Sequence, residues 1–186
     1  MPFEKTGIPG LLVFEPNVFE DSRGHFFESY NEKTFREEGI DIHWVQDNQS
    51  SSAYGVIRGL HYQLPPFAQS KLIRVLKGKI LDVAVDIRKG SPTFGQVFAK
   101  KLSAKNRKQL FIPAGFAHGF SVLSEKAEVL YKCDSFYNKE TEAGIIYNDA
   151  ELNIDWLVPA EIAIVSGKDK ALPSLAQCNN SFVYKS

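Results

Sequence analysis

Residues 72–87 read LIRVLKGKILDVAVDI, and this stretch decides the class of fold. From residue 81 to residue 87, apolar side chains at odd positions alternate with Asp or Ala at even positions. This period of two is typical of a half-buried β-strand. Residues 72–76 predict a second strand, and Lys77-Gly78 between the two suits a tight hairpin turn, because Gly tolerates positive φ.

Short strands continue along the rest of the chain. Turn-forming segments, KGSP at 89–92 and KNRK at 105–108, separate the predicted strands. These further strands are expected at residues 97–102, 110–112, 120–123 and 129–131. Many short strands at regular spacing predict an all-β sandwich, jelly roll or barrel.

One helix is expected before these strands, and a less regular region after them. Asn31 can cap the helix, Lys33 and Glu37 stand four residues apart on it, and Gly39 can end it. Residues 149–186 lack a clear period and predict short helices or irregular packing.

Length and composition limit the class of protein. With 186 residues and 44% hydrophobic residues, the chain is expected to form one domain, residues 1–186. Its formal net charge of zero gives no electrostatic reason to bind nucleic acid. Without a signal-like start or a long apolar run, we expect a cytoplasmic protein with no membrane contact. Cys133 and Cys178 form no zinc-site spacing and no disulfide framework.

Three segments concentrate unusual polar residues. They are residues 58–63 (RGLHYQ), Lys71, and residues 113–120 (PAGFAHGF). In a regular strand Arg58 and His61 would face opposite sides, so a bulge at Gly59 would be needed to aim both inward.

The spacing P-x-G-x-x-H in the third segment resembles the second motif of cupins, which are double-stranded β-helix jelly rolls. Metal-binding cupins also carry a histidine cluster near the first hairpin, and residues 79–86 contain no histidine. A stable metal site needs about three His or carboxylate ligands. We therefore expect a cupin-type fold with a few short helices and without a metal.

Several longer motifs resemble the dTDP-4-dehydrorhamnose 3,5-epimerase family, in the right order over most of the chain. They are residues 21–28 (DSRGHFFE), 46–48 (QDN), 58–63 (RGLHYQ), 83–96 (VAVDIRKGSPTFGQ), 111–120 (FIPAGFAHGF), 131–133 (YKC) and 168–169 (KD). The resemblance implies an enzyme that inverts C3 and C5 of dTDP-4-dehydro-6-deoxy-D-glucose, giving dTDP-4-dehydro-L-rhamnose in dTDP-L-rhamnose biosynthesis. It implies no cofactor.

The resemblance also implies catalytic roles that suit the chemistry. Inversion beside a ketone needs a base, an acid on the far face and a cation at the enolate oxygen. His61 suits the base, since imidazole titrates near neutral pH. Asp169 would orient His61, Lys71 would hold the enolate oxygen, and Tyr131 would be the acid.

A larger set is implied to bind the dTDP-linked 4-keto-6-deoxysugar. Arg58 and Lys168 would neutralise the diphosphate, and Tyr137 would stack on the thymine. The family exchanges N-terminal strands in a homodimer, so Arg23 and Phe26 would enter the partner's site. The other expected contacts are Glu28, Gln46, Asn48, His118 and Glu142.

Three alternatives remain open. A related enzyme could invert only C3 or only C5, because both activities use the same base and acid. A cupin could bind the sugar nucleotide without catalysis, although binding alone needs no acid opposite a base. A metal-dependent oxygenase would require a tightly bound iron.

Overall fold

The computed structural model describes residues 2–185, and two antiparallel sheets form most of it. Sheet 1 has the strand order β1-β2-β10-β7-β12-β5. Its strands are β1 (Phe3–Lys5), β2 (Leu12–Phe14), β5 (Gln46–Ala53), β7 (Lys71–Lys77), β10 (Gln109–Ile112) and β12 (Lys126–Cys133).

Sheet 2 has the order β13-β6-β11-β8-β9, and β14 pairs with β6 in parallel. Its strands are β6 (Val56–Gln63), β8 (Lys79–Asp86), β9 (Val97–Ser103), β11 (Phe116–Val122), β13 (Glu142–Gly144) and β14 (Ile164–Val165). The short strands β3 (Phe19–Asp21) and β4 (Gly24–Phe26) form a separate hairpin.

Each strand predicted from residue 72 to residue 131 is present, within a few residues of its expected ends. The helix α1 (Glu32–Glu37) is also confirmed: Asn31 Oδ1 accepts hydrogen bonds from the N–H groups of Lys33 and Thr34. Residues 149–185 hold only a 3₁₀ turn (Ala160–Ile162), β14 and the short helix α2 (Gly167–Lys170), as expected. The prediction of an all-β, cupin-type jelly roll with few helices is therefore confirmed.

The hydrophobic core lies in three layers. Between the sheets, side chains such as Ile73 and Val129 of sheet 1 meet Ile80 and Phe120 of sheet 2. On the outer face of sheet 1, Phe35 of α1 packs in a second cluster. On the outer face of sheet 2, a third cluster includes strand residues together with side chains from residues 145–182.

The third layer corrects one prediction from the sequence. We expected β8 to be half-buried, yet every residue from Ile80 to Asp86 is buried. The odd positions pack under the C-terminal segment, while Ala84 at an even position belongs to the core between the sheets. The alternation in β8 therefore separates two buried environments, because a non-periodic segment covers what would otherwise be an exposed face.

Candidate active site

A cavity of about 150 Å³ opens between the two sheets. We call it the outer cavity; sheet 2 contributes His61 to its wall, and sheet 1 contributes Lys71 and Tyr131. A second cavity of about 130 Å³, the inner cavity, shares these three residues. The outer cavity is also lined by Gln46, Asn48, Tyr62, Gln63, Gln69, Tyr137 and Glu142. The inner cavity is also lined by Ser50, Arg58, His118, Gly119 and Phe120.

A bulge in β6 aims Arg58 and His61 to the same side. In the pairing with β11, His61 stands opposite His118 and Arg58 opposite Phe120, so β6 has one extra residue between them. The expected bulge at Gly59 is thus confirmed, and both side chains line the inner cavity.

The bulge requires glycine at position 59. Gly59 has φ +111°, and a Cβ there would lie 2.6 Å from both Gly119 Cα and the His118 carbonyl oxygen. Both contacts are backbone atoms, which cannot move aside as a flexible side chain can. A side chain at this position would therefore push β6 away from β11.

Asp169 forms a hydrogen bond with the imidazole of His61. Its Oδ1 lies 2.8 Å from His61 Nε2, and its Oδ2 accepts the Gly59 N–H at 3.1 Å. The Asp169 side chain is 5% exposed, whereas that of His61 is 31% exposed. Burial opposes ionisation of Asp169, but the bonds from His61 and Gly59 outweigh it and lower the pKa of the carboxyl. An ionised carboxylate holds the proton of His61 on Nε2 and leaves Nδ1 able to accept one.

Lys71 and Tyr131 face His61 from the opposite sheet. Within residues 2–185, neither Lys71 Nζ nor the Tyr131 hydroxyl has a hydrogen-bond partner or ion pair. Burial raises the pKa of the Tyr131 phenol, so the phenol keeps its proton at neutral pH. Burial lowers the pKa of the Lys71 ammonium, although the carboxylates of Asp82 and Glu142 oppose this shift.

His118 lies deeper, beside the inner cavity. Its Nε2 is 2.8 Å from Oδ1 of the fully buried Asp82. Burial lowers the pKa of His118 despite this carboxylate, which favours the neutral imidazole. No role in the site was predicted for Asp82 from the sequence. A carboxylate inside an apolar strand was the signal, because buried charges need a partner.

Polar residues join at the rim of the outer cavity. Glu142 accepts a hydrogen bond from the Tyr137 hydroxyl at 2.9 Å and forms an ion pair with Lys168 Nζ at 2.5 Å. Burial of Glu142 is outweighed by these two interactions, so the pKa of its carboxyl is lowered. Gln46 donates to Asn48 at 2.9 Å and accepts the Tyr137 N–H at 3.0 Å. Hydrogen bonds and an ion pair thus link these rim residues to one another.

Gln63 supports this rim, and sequence analysis assigned it no role. Its side-chain amide donates to the carbonyl oxygens of Phe67 (2.7 Å) and Phe136 (3.2 Å), and its Oε1 accepts the Asn138 N–H at 2.7 Å. The buried amide thereby fixes the backbone on both sides of Tyr137. A polar residue two positions after His61, on the same face of β6, was the available signal.

Three expected contacts lie away from both cavities of this chain. Arg23 and Phe26 belong to the β3–β4 hairpin, and Glu28 follows it. Phe26 pairs with Phe19 in the hairpin, and these two side chains are 67% and 66% exposed. The structure therefore does not bring these residues to His61 of the same chain; the entry of Arg23 and Phe26 into a partner's site, and the contact expected of Glu28, stay predictions.

Residues 2–185 contain neither a cluster of metal ligands nor a membrane-spanning helix. No three side chains of His, Cys, Asp or Glu are grouped there so as to hold a metal ion. The helices in this part of the chain are too short to cross a bilayer.

Related proteins identify the family of this chain. A sequence model described as dTDP-4-dehydrorhamnose 3,5-epimerase matches residues 5–177. The dTDP-4-dehydrorhamnose 3,5-epimerase of Shigella flexneri is 55% identical over 166 residues, which cover 89% of this chain and 91% of that protein.

Solved structures of similar proteins are also sugar-nucleotide epimerases. A dTDP-6-deoxy-D-glucose-3,5-epimerase from Legionella pneumophila, in complex with dTDP-4-keto-L-rhamnose, has a TM-score of 0.94 and 45% identity, covering 99% of this chain and 98% of that chain. A 3'-monoepimerase from Streptomyces bikiniensis, in complex with dTDP-quinovose, has a TM-score of 0.84 and 34% identity, covering 91% and 86%. The family model spans all the catalytic candidates. This chain belongs to the dTDP-4-dehydrorhamnose 3,5-epimerase family.

Proposed function

We propose that this protein inverts C3 and C5 of dTDP-4-dehydro-6-deoxy-D-glucose and releases dTDP-4-dehydro-L-rhamnose. One observation carries the proposal: His61 and Tyr131 come from opposite sheets and line the same cavity. Lys71 lines this cavity too, on the side of sheet 1. A base and an acid on opposite sides of a bound ring are what inversion through a planar enolate requires.

Proton removal is the first step. His61 takes the proton beside the C4 ketone through Nδ1, while Asp169 accepts the hydrogen bond from Nε2–H and stabilises the resulting imidazolium. Such general base help is worth about 10²–10⁴-fold in rate.

Charge then develops on the C4 oxygen. The Lys71 ammonium, which has no partner within residues 2–185, holds this oxygen and disperses its charge, an effect worth about 10²–10³-fold. Because a lysine supplies the positive charge, the sequence of proton transfers needs neither a metal nor a cofactor. Tyr131 donates its proton to the opposite face of the same carbon, and the configuration is inverted.

The nucleotide occupies the rim. Lys168 binds the diphosphate at this rim, together with Arg58, which lines the inner cavity and whose Nε donates to Ser52 Oγ at 3.1 Å. Tyr137 presents an exposed ring for the thymine. The remaining contacts to the sugar nucleotide come from Gln46, Asn48, His118 and Glu142.

The active form is a homodimer in the cytoplasm. The exposed aromatic pair of the β3–β4 hairpin supports this assembly, because large apolar side chains in contact with water favour a partner surface. In the dimer, Arg23 and Phe26 of one subunit enter the site of the other, and Glu28 is a further contact to the sugar nucleotide.

A second candidate is inversion at C3 alone, favoured by the likeness to the 3'-monoepimerase. Incubation with the dTDP-4-keto sugar in heavy water, followed by NMR, separates the two. Deuterium at both C3 and C5 is expected, since the proton delivered to each carbon comes from the Tyr131 hydroxyl, which exchanges with the solvent. Label at C3 only would assign the chain to the single inversion.

A further inference from the structure

The inward face of β5 is polar where a core strand would be apolar. Its even-numbered residues Gln46, Asn48, Ser50 and Ser52 are at least half-buried, while the residues between them are exposed. Gln46 bonds to Asn48, and Ser52 accepts from Arg58. Ser50 is different, because its hydroxyl is buried and finds no hydrogen-bond partner within residues 2–185. A buried, unpaired hydroxyl costs about 1–3 kcal/mol, so it calls for an explanation.

Ser50 lines the inner cavity together with both proton-transfer groups. Ser50 stands opposite Val129 in the β5–β12 pairing, and Tyr131 stands opposite Asn48, so Ser50 and Tyr131 are diagonal neighbours on one face. Gly119 and Phe120 belong to the wall on the side of sheet 2. The volume of about 130 Å³ exceeds the roughly 10–15 Å³ that one water needs. Its lining supplies the two to four polar partners that hold a buried water.

The proposed reaction creates a need for such a water. After the first inversion His61 carries an extra proton and Tyr131 lacks one. A second inversion on the same bound sugar cannot begin until both groups return to their starting states. In the proposed reaction the ring lies between His61 and Tyr131, so the proton must travel around it.

We propose that Ser50 positions a water in the inner cavity, and that this water carries the proton from the His61 imidazolium back to the Tyr131 phenolate. One imidazolium N–H bond breaks and one phenol O–H bond forms. The water gives up one proton as it receives another, so nothing else is consumed. Ser50 acts through the water and is a positioning residue. This inference rests on the proposed function.

The test replaces Ser50 by Val, which fills part of the cavity and removes the hydroxyl. Ser51→Val is the matched control, since Ser51 is an exposed residue of the same strand that points the other way. Single-turnover reactions in heavy water, with enzyme in excess and the sugar followed carbon by carbon, give the rates of the two inversions. We expect Ser50→Val to keep the first rate within about twofold and to slow the second at least about tenfold.

Two further measurements exclude a merely structural effect. Ser50→Ala leaves the cavity open, so adding imidazole as a small proton carrier is expected to restore part of the second rate in this variant. A high-resolution structure is expected to show a water within hydrogen-bond distance of Ser50 Oγ in the wild type and none there in Ser50→Val.

Three results would reject the proton relay and leave the proposed double inversion intact. These are equal slowing of both inversions, unchanged rates in Ser50→Val, or a raised KM with unchanged kcat, which would assign Ser50 to sugar binding. Label at no carbon, or at one carbon only, with the wild-type enzyme would reject the double inversion and the relay together.

Discussion

Replacing Asp169 by Asn tests the proposed mechanism at its most constrained point. The carboxylate uses both oxygens, one for His61 Nε2 and one for the Gly59 N–H. An asparagine has a single acceptor oxygen, so it cannot serve both donors. If the oxygen stays with Gly59, the amide NH₂ faces His61, and the ring must carry its proton on Nδ1. The nitrogen that should act as the base then bears a proton already.

The size of the effect follows from this geometry. In the serine-protease triad, a change from Asp to Asn that imposes the wrong histidine tautomer lowers kcat about 10⁴-fold. Here the amide can also turn toward His61 and leave Gly59 unpaired, at a cost of about 1–3 kcal/mol. We therefore expect kcat to fall about 10³–10⁴-fold, which corresponds to about 4–5.5 kcal/mol at 1.36 kcal/mol per decade.

The assay is deuterium uptake into the sugar, followed by NMR, with dTDP affinity measured by calorimetry. The affinity for dTDP is expected to stay within about threefold, because Asp169 contacts His61 and does not belong to the rim of the outer cavity. Asp155→Asn, which neutralises an exposed carboxylate elsewhere, is the control and should match the wild type. An Asp169→Asn enzyme with more than about a tenth of wild-type kcat would falsify the assigned role of the pair.

Three more predictions follow from other parts of the structure. Tyr131→Phe should lower kcat for inversion about 10²–10⁴-fold while exchange with solvent at the original face persists, measured by NMR; normal inversion would remove Tyr131 from the mechanism. Gly59→Ala should lower the free energy of unfolding by about 3 kcal/mol or more in urea titrations, because its Cβ would meet the Gly119 backbone, and an unchanged midpoint would contradict this. Asp86→Asn should cost about 3–5 kcal/mol at pH 6, since buried Asp86 accepts hydrogen bonds from Arg88. Burial raises the pKa of Asp86, but the bonds from Arg88 and nearby hydroxyls outweigh it and lower the pKa in the folded state. The stabilisation is thus present above the carboxyl's unfolded pKa and is lost as pH falls through the folded pKa, so the gap to Asp86→Asn should shrink in acid; a constant gap in urea titrations would refute the assignment.

Much of the fold was accessible from local pattern. The alternation in residues 81–87 and the Lys77-Gly78 turn predicted β7 and β8, and Asn31 predicted the start of α1. These features depend on neighbours in the chain, so sequence alone specifies them. The half-buried character expected of β8 was wrong, because residues that lie some 60 to 100 positions later cover its outer face.

The candidate site, like the fold, was predictable from the sequence only in part. Residue types and motif order identified His61, Lys71, Tyr131 and Asp169 as candidates. No local pattern could show that Asp169, 108 positions from His61, would form a hydrogen bond with its imidazole. Nor could a pattern show that Ser50 would be buried at the inner cavity without a partner.

By itself the sequence determined the strands, the helix cap and the family to which the chain belongs, since these are properties of short segments and their order. Only the tertiary structure decided which faces of those strands meet. The packing of one sheet on another sets the distances across the cavity, and a bulge of one residue at Gly59 turns the Arg58 and His61 side chains to the same side.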